Sequence, residues 1–559
     1  MPVRAKRRWR LNTWTVFAVL VAGLVSIPVL VVLSHVFVPT GEVWRHLAET
    51  LLASYVTNSL WLMLGVGTGT LVIGVSTAWL VTMCRFPGRR QFEWALLLPM
   101  AVPAYVIAYT YTGLLEFAGP VQEVLRDLTG WQQGTYWFPE IRSLEGAIVM
   151  LTLVLYPYVY LLSRAAFLEQ SVCVFEVART LGRSPTRSFF SVALPLARPA
   201  VATGVALALM ETLNDFGTVQ YFAVDTFTTG IFRTWYGLGE PAAAAQLAAA
   251  LMVFVFILIL TERLSRGRGR IYHTSPRYRQ LPGYRLSPAR KALAFVVCGL
   301  PVLLGFLIPA GALAIWAFET AHNMVDAEFV VHAFNSFILA AVAAVLAVAV
   351  AVMIAYGIRL RPTPLITGAA RVASMGYAVP GAVLAVGVLI PFAALDGWFN
   401  NWTLHSFGVE PGLILSGTIA AVTFAYVVRF LAVSLNTIEA SLAKITPNMD
   451  DAARTLGFRP GRVLTRVHLP IMGGSLLTAG LLVFVDVMKE LPATLILRPF
   501  NFDTLAIRTY QLASDERLAD SSSAALAIVL VGIIPVILLS LAIARSRPGT
   551  TATRESEPS

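Results

Sequence analysis

The sequence predicts an all-α polytopic membrane protein of about twelve transmembrane helices, laid out as two parallel six-helix repeats. Three observations lead there. Of 559 residues, 57% are apolar and only 13% charged, against about 45–50% and about 25% in soluble domains. Twelve apolar segments are each long enough to cross a bilayer, which takes roughly 20 residues. Polar and backbone-punctuating residues of the first half recur in the second at fixed offsets.

Taken in order, the chain starts with a basic cluster, Arg4 to Arg10, ahead of the apolar segment 14–38. That segment is too long for a signal-peptide core. Val38-Pro-Thr-Gly-Glu42 offers no small-x-small cleavage site, so the segment reads as an uncleaved spanning helix. The other spans are 56–83, 94–117, 145–166, 196–221, 242–262, 292–318, 336–358, 370–395, 412–435, 471–497 and 523–544. Pro99, Pro103 and Pro380 imply kinks in two of them, which membrane helices tolerate when neighbours satisfy the freed carbonyls. The expected organisation is 1–54 for the cytoplasmic N-terminus, first helix and outer loop, and 55–262 for the first repeat. A basic linker follows at 263–291, then 292–334 for the first helix of the second half and its outer loop. The second repeat occupies 335–544 and a cytoplasmic tail 545–559.

With the N-terminus inside, 34 of the 42 Lys and Arg residues fall on the inner side and seven outside, with Lys489 left inside a span. Such asymmetry sets orientation. The net charge of +11 therefore maps to short loops between apolar segments, and nucleic acid is not an expected partner. Cys84, Cys173 and Cys298 are far apart and form neither a metal motif nor a disulfide framework. The seven histidines are scattered, with no His-x-x-x-His pair.

The duplication is explicit. Asn58-Ser59 matches Asn335-Ser336, and Val102-Pro103 matches Val379-Pro380, both at an offset of 277. Phe227-x-Thr229-x-x-x-Arg233 matches Phe502-x-Thr504-x-x-x-Arg508 at 275. Between them lies a polar stretch that occurs twice at that same offset. Glu176-Val-Ala-Arg-Thr-Leu-Gly182 precedes Val192-Ala-Leu-Pro195, and Asp451-Ala-Ala-Arg-Thr-Leu-Gly457 precedes Val467-His-Leu-Pro470. Each copy predicts a short helix, a bend at glycine, and a second helix that runs into the next span. Ser184-Pro185 is a good helix start. Small Ala residues permit close approach of another protein. An amphipathic hairpin lying on lipid headgroups is the bland alternative, but retention of the same residues in both copies favours a paired docking site.

This spacing resembles the cytoplasmic loop signature of ABC importer permeases: Glu-Ala-Ala, three residues, Gly, nine residues, Ile-x-Leu-Pro. Val177 replaces an Ala, Asp451 the Glu, and Val192 and Val467 the Ile. The resemblance implies the type I ABC importer fold, and that each stretch is a coupling helix inserting into a cleft of an ATP-hydrolysing subunit. Glu176, Ala178, Gly182 and Pro195, in the loop 168–195, would form one docking site. Asp451, Ala452, Ala453, Gly457 and Pro470, in the loop 436–470, would form the other. It also implies homodimeric ATP-binding subunits on the cytoplasmic side carrying ATP and Mg2+, and a periplasmic or tethered solute-binding protein. The implied location is the bacterial cytoplasmic (inner) membrane, with both termini cytoplasmic. Fused double-length permeases are characteristic of ferric iron and thiamine importers. Met210-Glu-Thr-Leu-Asn-Asp-Phe-Gly217 with Asp225–Thr229, and Val487-Met-Lys-Glu-Leu-Pro-Ala-Thr494 with Arg498–Asp503, look most like the ferric iron permeases.

Charged groups inside the spans are the remaining candidates. Glu211, Asn214 and Asp215 correspond at offset 275 to Asp486, Lys489 and Glu490. A charge at mid-bilayer costs at least ~2.5–3.5 kcal/mol, so such groups face a bundle interior or water. They read equally well as the polar lining of a translocation pathway or as a buried network that fixes helix packing. Arg233 and Arg508, in matching outer loops, are candidates for docking a binding protein. No Gly-x-x-x-x-Gly-Lys-Ser/Thr occurs, so ATP hydrolysis is expected on other subunits, with no cofactor or resident metal in this chain. A proton-coupled secondary transporter working through Glu211, Asp215 or Glu490 is the rival from another class. It has no need of paired cytoplasmic knuckles. A receptor or scaffold is disfavoured, since no appended soluble domain is visible.

Overall fold

The computed structural model describes residues 13–132, 135–170, 180, 185–265 and 284–545, with side chains at all of these except 169, 185, 186 and 539–545. Among them, ten helices are long and apolar enough to cross a membrane, or twelve if each of two bent pairs makes one span. Each of the twelve predicted segments meets a helix or a bent pair. The sheet among the described residues is one short parallel pairing, Cys84-Arg85 with Tyr284-Arg285, which the sequence did not announce.

Two expectations change in detail. Pro103 and Pro380 break helices rather than kink them. Arg89–Ala101 and Ala104–Thr129 meet at 90°, across Val102 with extended φ −92° and ψ 120°. Val379 takes φ −81° and ψ 121° between the tight turn Ser374–Ala378 and the helix Gly381–Phe407. In both, the proline ring pushes its predecessor out of the helical region, and the proline then serves as the N-cap of the next helix. The predicted spans 196–221 and 471–497 are also not continuous. The helix Leu194–Asn214 stops before Asp215 and a short helix, Gly217–Tyr221, follows. Gly473–Met488 likewise stops before Glu490, ahead of Pro492–Leu497.

The chain divides into two compact units, Met1–Val38 with Asn335–Phe502, and Pro39–Phe334 with Asp503–Ser559. Sequence neighbours are thus exchanged. The first apolar helix, Thr13–Ser34, packs on Pro364–Ala373 and Gly381–Phe407 of the second repeat, and Trp14 meets Tyr356 edge-on at 5.3 Å. In the other unit, Ile308–Met324 packs on Leu518–Arg545 and Ala104–Leu115. Periodicity reports which segments are apolar, not which neighbour covers them.

One buried carboxylate organises a loop. Asp396, midway along Gly381–Phe407, accepts from the backbone N–H groups of Leu415 at 2.9 Å and Ser416 at 2.7 Å, and from Ser416 Oγ at 2.6 Å. Hydrogen bonds to a charged group are worth about 1.5–3 kcal/mol. Asp396→Ala is therefore expected to loosen residues 408–418, seen as faster amide exchange there with the distant helices unchanged.

Candidate functional site

The second copy of the repeated stretch is fully described. The helix Ile419–Leu442 ends in a turn, and Pro447–Thr455 follows with proline at its first position, where a missing N–H costs nothing. Asp450 in the first turn suits the positive end of the helix. Gly457 closes the helix with φ +78°, a left-handed conformation that glycine adopts freely. The chain restarts at Pro460 and runs through a π turn, Leu464–His468, to Leu469-Pro470.

This knuckle is clamped from behind. Asp450 accepts from Arg359 Nε at 2.8 Å and Nη2 at 2.7 Å, and pairs with His468 Nε2 at 2.5 Å. Arg359 also donates to the carbonyls of Leu442 at 2.6 Å and Ile445 at 2.9 Å. Tyr356 donates to the Pro460 carbonyl at 2.8 Å. One spanning helix, Ala327–Leu360, thereby holds the incoming helix, the knuckle and the outgoing helix together. The other side of the knuckle is open. Met449, Asp451, Ala452 and Leu456 are exposed, Leu456 at 75%. Of the predicted alanine pair, Ala452 faces out and Ala453 is buried. Asp451 pairs with Arg454 at 3.2 Å on the surface, a contact worth little.

Sequence reasoning singled out Asp451, Ala452 and the glycine but missed Met449, Leu456 and the clamp. Asp450 is hidden beside Asp451, and Arg359 was only counted as a charge. Asp450→Ala is expected to lower stability by about 2 kcal/mol, since it strips the Arg359 guanidinium of its carboxylate in a largely buried setting. Thermal unfolding in detergent checks this.

In the first copy, Glu176, Ala178, Gly182 and Ser184 lie outside the described residues. What flanks them matches the second copy. A π turn at Phe189–Ala193 precedes Leu194-Pro195, 275 residues before its counterpart. The cause is local in both. Each proline ring clashes with the carbonyl four residues back, at Ser191 or Arg466, and a wider turn relieves it. Pro195 and Pro470 are both exposed. Gln170 donates to the Ala193 carbonyl at 2.8 Å, tying the two ends of the first loop together.

The intramembrane candidates lie where the fifth helix of each repeat breaks. Asp215 accepts from the N–H groups of Thr218 and Val219, both at 3.1 Å, and from Thr218 Oγ1 at 3.0 Å. Glu490 does the same one repeat later, accepting from Ala493 N–H at 2.9 Å, Thr494 N–H at 3.1 Å and Thr494 Oγ1 at 2.7 Å. Both carboxylates cap the short helix after the break. Glu490 also meets Arg429 at 3.0 Å, with side-chain exposures of 2% and 6%. Arg429, counted with the inner-side residues, is thus buried within Ile419–Leu442. Tyr426 extends this network by a short hydrogen bond to Thr494. Asp486 pairs with Lys489 at 2.8 Å, both partly exposed. Glu211 and Asn214 are also partly exposed. The geometry gives Asp215 and Glu490 a structural duty.

The two candidate docking arginines differ. Arg233 pairs with Asp225 at 2.8 Å, and Asn58, a repeated position, donates to the Asp225 carbonyl at 2.9 Å. Arg508 stands 3.9 Å from the exposed carboxylate of Glu328. Among the described residues, no three His, Cys, Asp or Glu side chains are grouped to hold a metal ion.

A family model described as the binding-protein-dependent transport system inner membrane component matches residues 70–266. The chain is 27% identical over 494 residues to an Fe(3+)-transport system permease protein of Haemophilus influenzae, covering 87% of this chain and 90% of that one. It is 31% identical over 206 residues to the sulfate transport system permease protein CysT of Escherichia coli, covering 35% of this chain and 71% of that one. It is 29% identical over 204 residues to the molybdenum transport system permease protein ModB of Escherichia coli, covering 35% and 86%.

Proposed function

Because the chain belongs to the family of binding-protein-dependent transport system inner membrane components, we propose that it is the membrane-spanning subunit of an ATP-driven importer of ferric iron. One observation carries the cargo assignment. The similarity to an Fe(3+) permease runs through 87% of the chain, including both repeats, whereas the similarity to the sulfate and molybdenum permeases covers 35%.

The importer mechanism follows from the knuckle. A homodimer of ATP-binding subunits, holding ATP and Mg2+, seats on the cytoplasmic face against Asp451, Ala452 and Leu456, and against Glu176, Ala178 and Gly182 of the first copy. The clamp through Asp450, Arg359 and His468 makes the second knuckle rigid, so a push on it moves the attached spanning helices. Closure on ATP then favours the state open to the solute-binding protein, by the difference in affinity for the two states. That protein, periplasmic or tethered, delivers iron, and Arg233 and Arg508 are the side chains offered to acidic groups on it. Both termini lie in the cytoplasm.

The test is reconstitution in proteoliposomes with purified ATP-binding and solute-binding proteins. Iron-loaded binding protein is expected to stimulate ATP hydrolysis and iron uptake together. Stimulation by thiamine-loaded but not iron-loaded protein would overturn the cargo. Uptake driven by a pH gradient without ATP would overturn the importer.

A further inference from the structure

One cluster of charges stands outside the duplicated scaffold. Arg142, just ahead of the helix Leu144–Glu169, donates from Nη1 to Glu516 Oε1 at 2.9 Å and from Nη2 to Glu516 Oε2 at 2.8 Å. Nη2 also donates to the Tyr221 hydroxyl at 3.1 Å, and the guanidinium lies 4.6 Å from the centre of that ring. Its Nε is 2.6 Å from Glu116 Oε1, yet the Nε–H makes no hydrogen bond among the described residues. One cation thus joins the end of Ala104–Leu115, the short helix that Asp215 caps, and the turn between Leu505–Ser514 and Leu518–Arg545. The first two elements belong to the first repeat and the third to the second, all within one compact unit. Ser143, the N-cap of Leu144–Glu169, has its counterpart 275 residues on in Thr418, the N-cap of Ile419–Leu442, and there Gly417 stands in place of Arg142.

Two features mark this cluster as a movable contact rather than a fixed brace. Glu516 follows Asp515, the C-cap of Leu505–Ser514, and holds φ +61°. Glycine ordinarily fills that left-handed position, and a side chain kept there against the backbone's preference points to a duty for its carboxylate. Arg142, for its part, has two carboxylates for one charge. Its planar fork is matched to Glu516 in the strong bidentate geometry, while Glu116 is close but misaligned and can take the cation when Glu516 leaves. Arg142 is paired in both arrangements, and all three side chains are partly exposed, so the exchange strands no buried charge. Resting on the importer reading, we propose that Arg142 is an outer latch. It holds Glu516 of the second repeat while the outer side is shut, and passes to Glu116 of its own repeat when the repeats part to admit cargo. Ion pairs repacked between two discrete arrangements are a recurrent switch. The latch keeps the outward-open state scarce until the solute-binding protein docks and shifts the equilibrium.

The test uses the full chain reconstituted with purified ATP-binding and solute-binding proteins. Glu516→Gly removes the carboxylate and relieves the left-handed backbone, so it should melt close to the wild type. Its ATP hydrolysis without the solute-binding protein should rise about fivefold, the factor that one partly exposed ion pair supplies at its upper end. Arg142→Gln should raise it likewise. Glu116→Gln acts in the opposite sense, because Arg142 then has no partner in the open state, and should lower the hydrolysis that the loaded binding protein stimulates. Bridging reads the movement itself. Arg142→Cys with Glu516→Cys, combined with Cys84→Ala, Cys173→Ala and Cys298→Ala, should lose iron uptake when a short cleavable thiol-reactive linker joins the pair and regain it on reduction. Unstimulated hydrolysis in Glu516→Gly equal to that of the wild type, or uptake indifferent to the bridge, would overturn the latch alone. A wild type whose hydrolysis does not respond to iron-loaded binding protein sinks the importer reading, and the latch with it.

Discussion

Replacing Arg429 with Ala is expected to lower stability by about 3–5 kcal/mol, the cost of stranding a buried charge by removing its partner. Glu490 keeps its bonds from Ala493, Thr494 N–H and Thr494 Oγ1, which holds the loss toward the lower end. Those bonds do not neutralise a side chain that is 2% exposed. Two controls follow from the same physics. Arg429→Leu combined with Glu490→Gln removes both charges and should recover most of the loss, because the desolvation penalty disappears with them. Gly381→Ala should be harmful alone, since a Cβ there would lie 2.7 Å from Arg429 Nη1 and 2.8 Å from Glu490 Oε1. Denaturation in detergent measures all three. An Arg429→Ala protein that melts with the wild type would remove the structural role assigned to Glu490.

What the sequence made legible, and what it did not, divides along the range of the interactions. Spans, duplication and the two knuckles rest on local signals: apolar runs, repeated polar residues, glycine and proline. Proline at 103 and 380 gave the right positions but the wrong severity, because a kink becomes a break when the residue before proline leaves the helical region and the proline itself starts the next helix. The carboxylates of the fifth helices were visible as charges among apolar residues. Their duty as caps was not, since that depends on the helix ending at Asn214 or Met488. Arg429 escaped because its partner is 61 residues away in sequence. The clamp on Asp450 brings together Arg359 and His468 from flanking helices, and the exchange of Thr13–Ser34 into the other repeat's unit spans more than half the chain. No periodicity encodes such pairings. The knuckle's exposed Leu456 had a signal that passed unused: it sits inside the repeated Arg-Thr-Leu-Gly.

Gly457→Val is expected to reduce ATP-driven uptake at least about tenfold, which needs roughly 1.4 kcal/mol of lost coupling, while the protein inserts normally. Space is not the obstacle, for nothing lies within 4 Å of a Cβ built there. The obstacle is φ +78°, which costs an ordinary L-residue about 1–2 kcal/mol and is least accessible to a β-branched one. The chain escapes the strain by rotating φ to negative values, and that swings Pro447–Thr455 against the helix restarting at Pro460. The exposed face carrying Met449, Ala452 and Leu456 then no longer meets its partner as a rigid unit, or the contacts of Asp450 with Arg359 and His468 give way. Asn at 457 tolerates the left-handed region and should retain most uptake, which separates backbone strain from loss of a glycine as such. Leu456→Asp leaves the backbone alone and alters only an exposed apolar contact, so it should weaken capture of the ATP-binding subunits without lowering the melting temperature. Adding Gly182→Val to Gly457→Val should remove the residual uptake, since both sockets are then altered. Uptake and ATPase stimulation in proteoliposomes decide the matter, and a double valine variant that transports like the wild type would show that the repeated stretch is not where the motor engages.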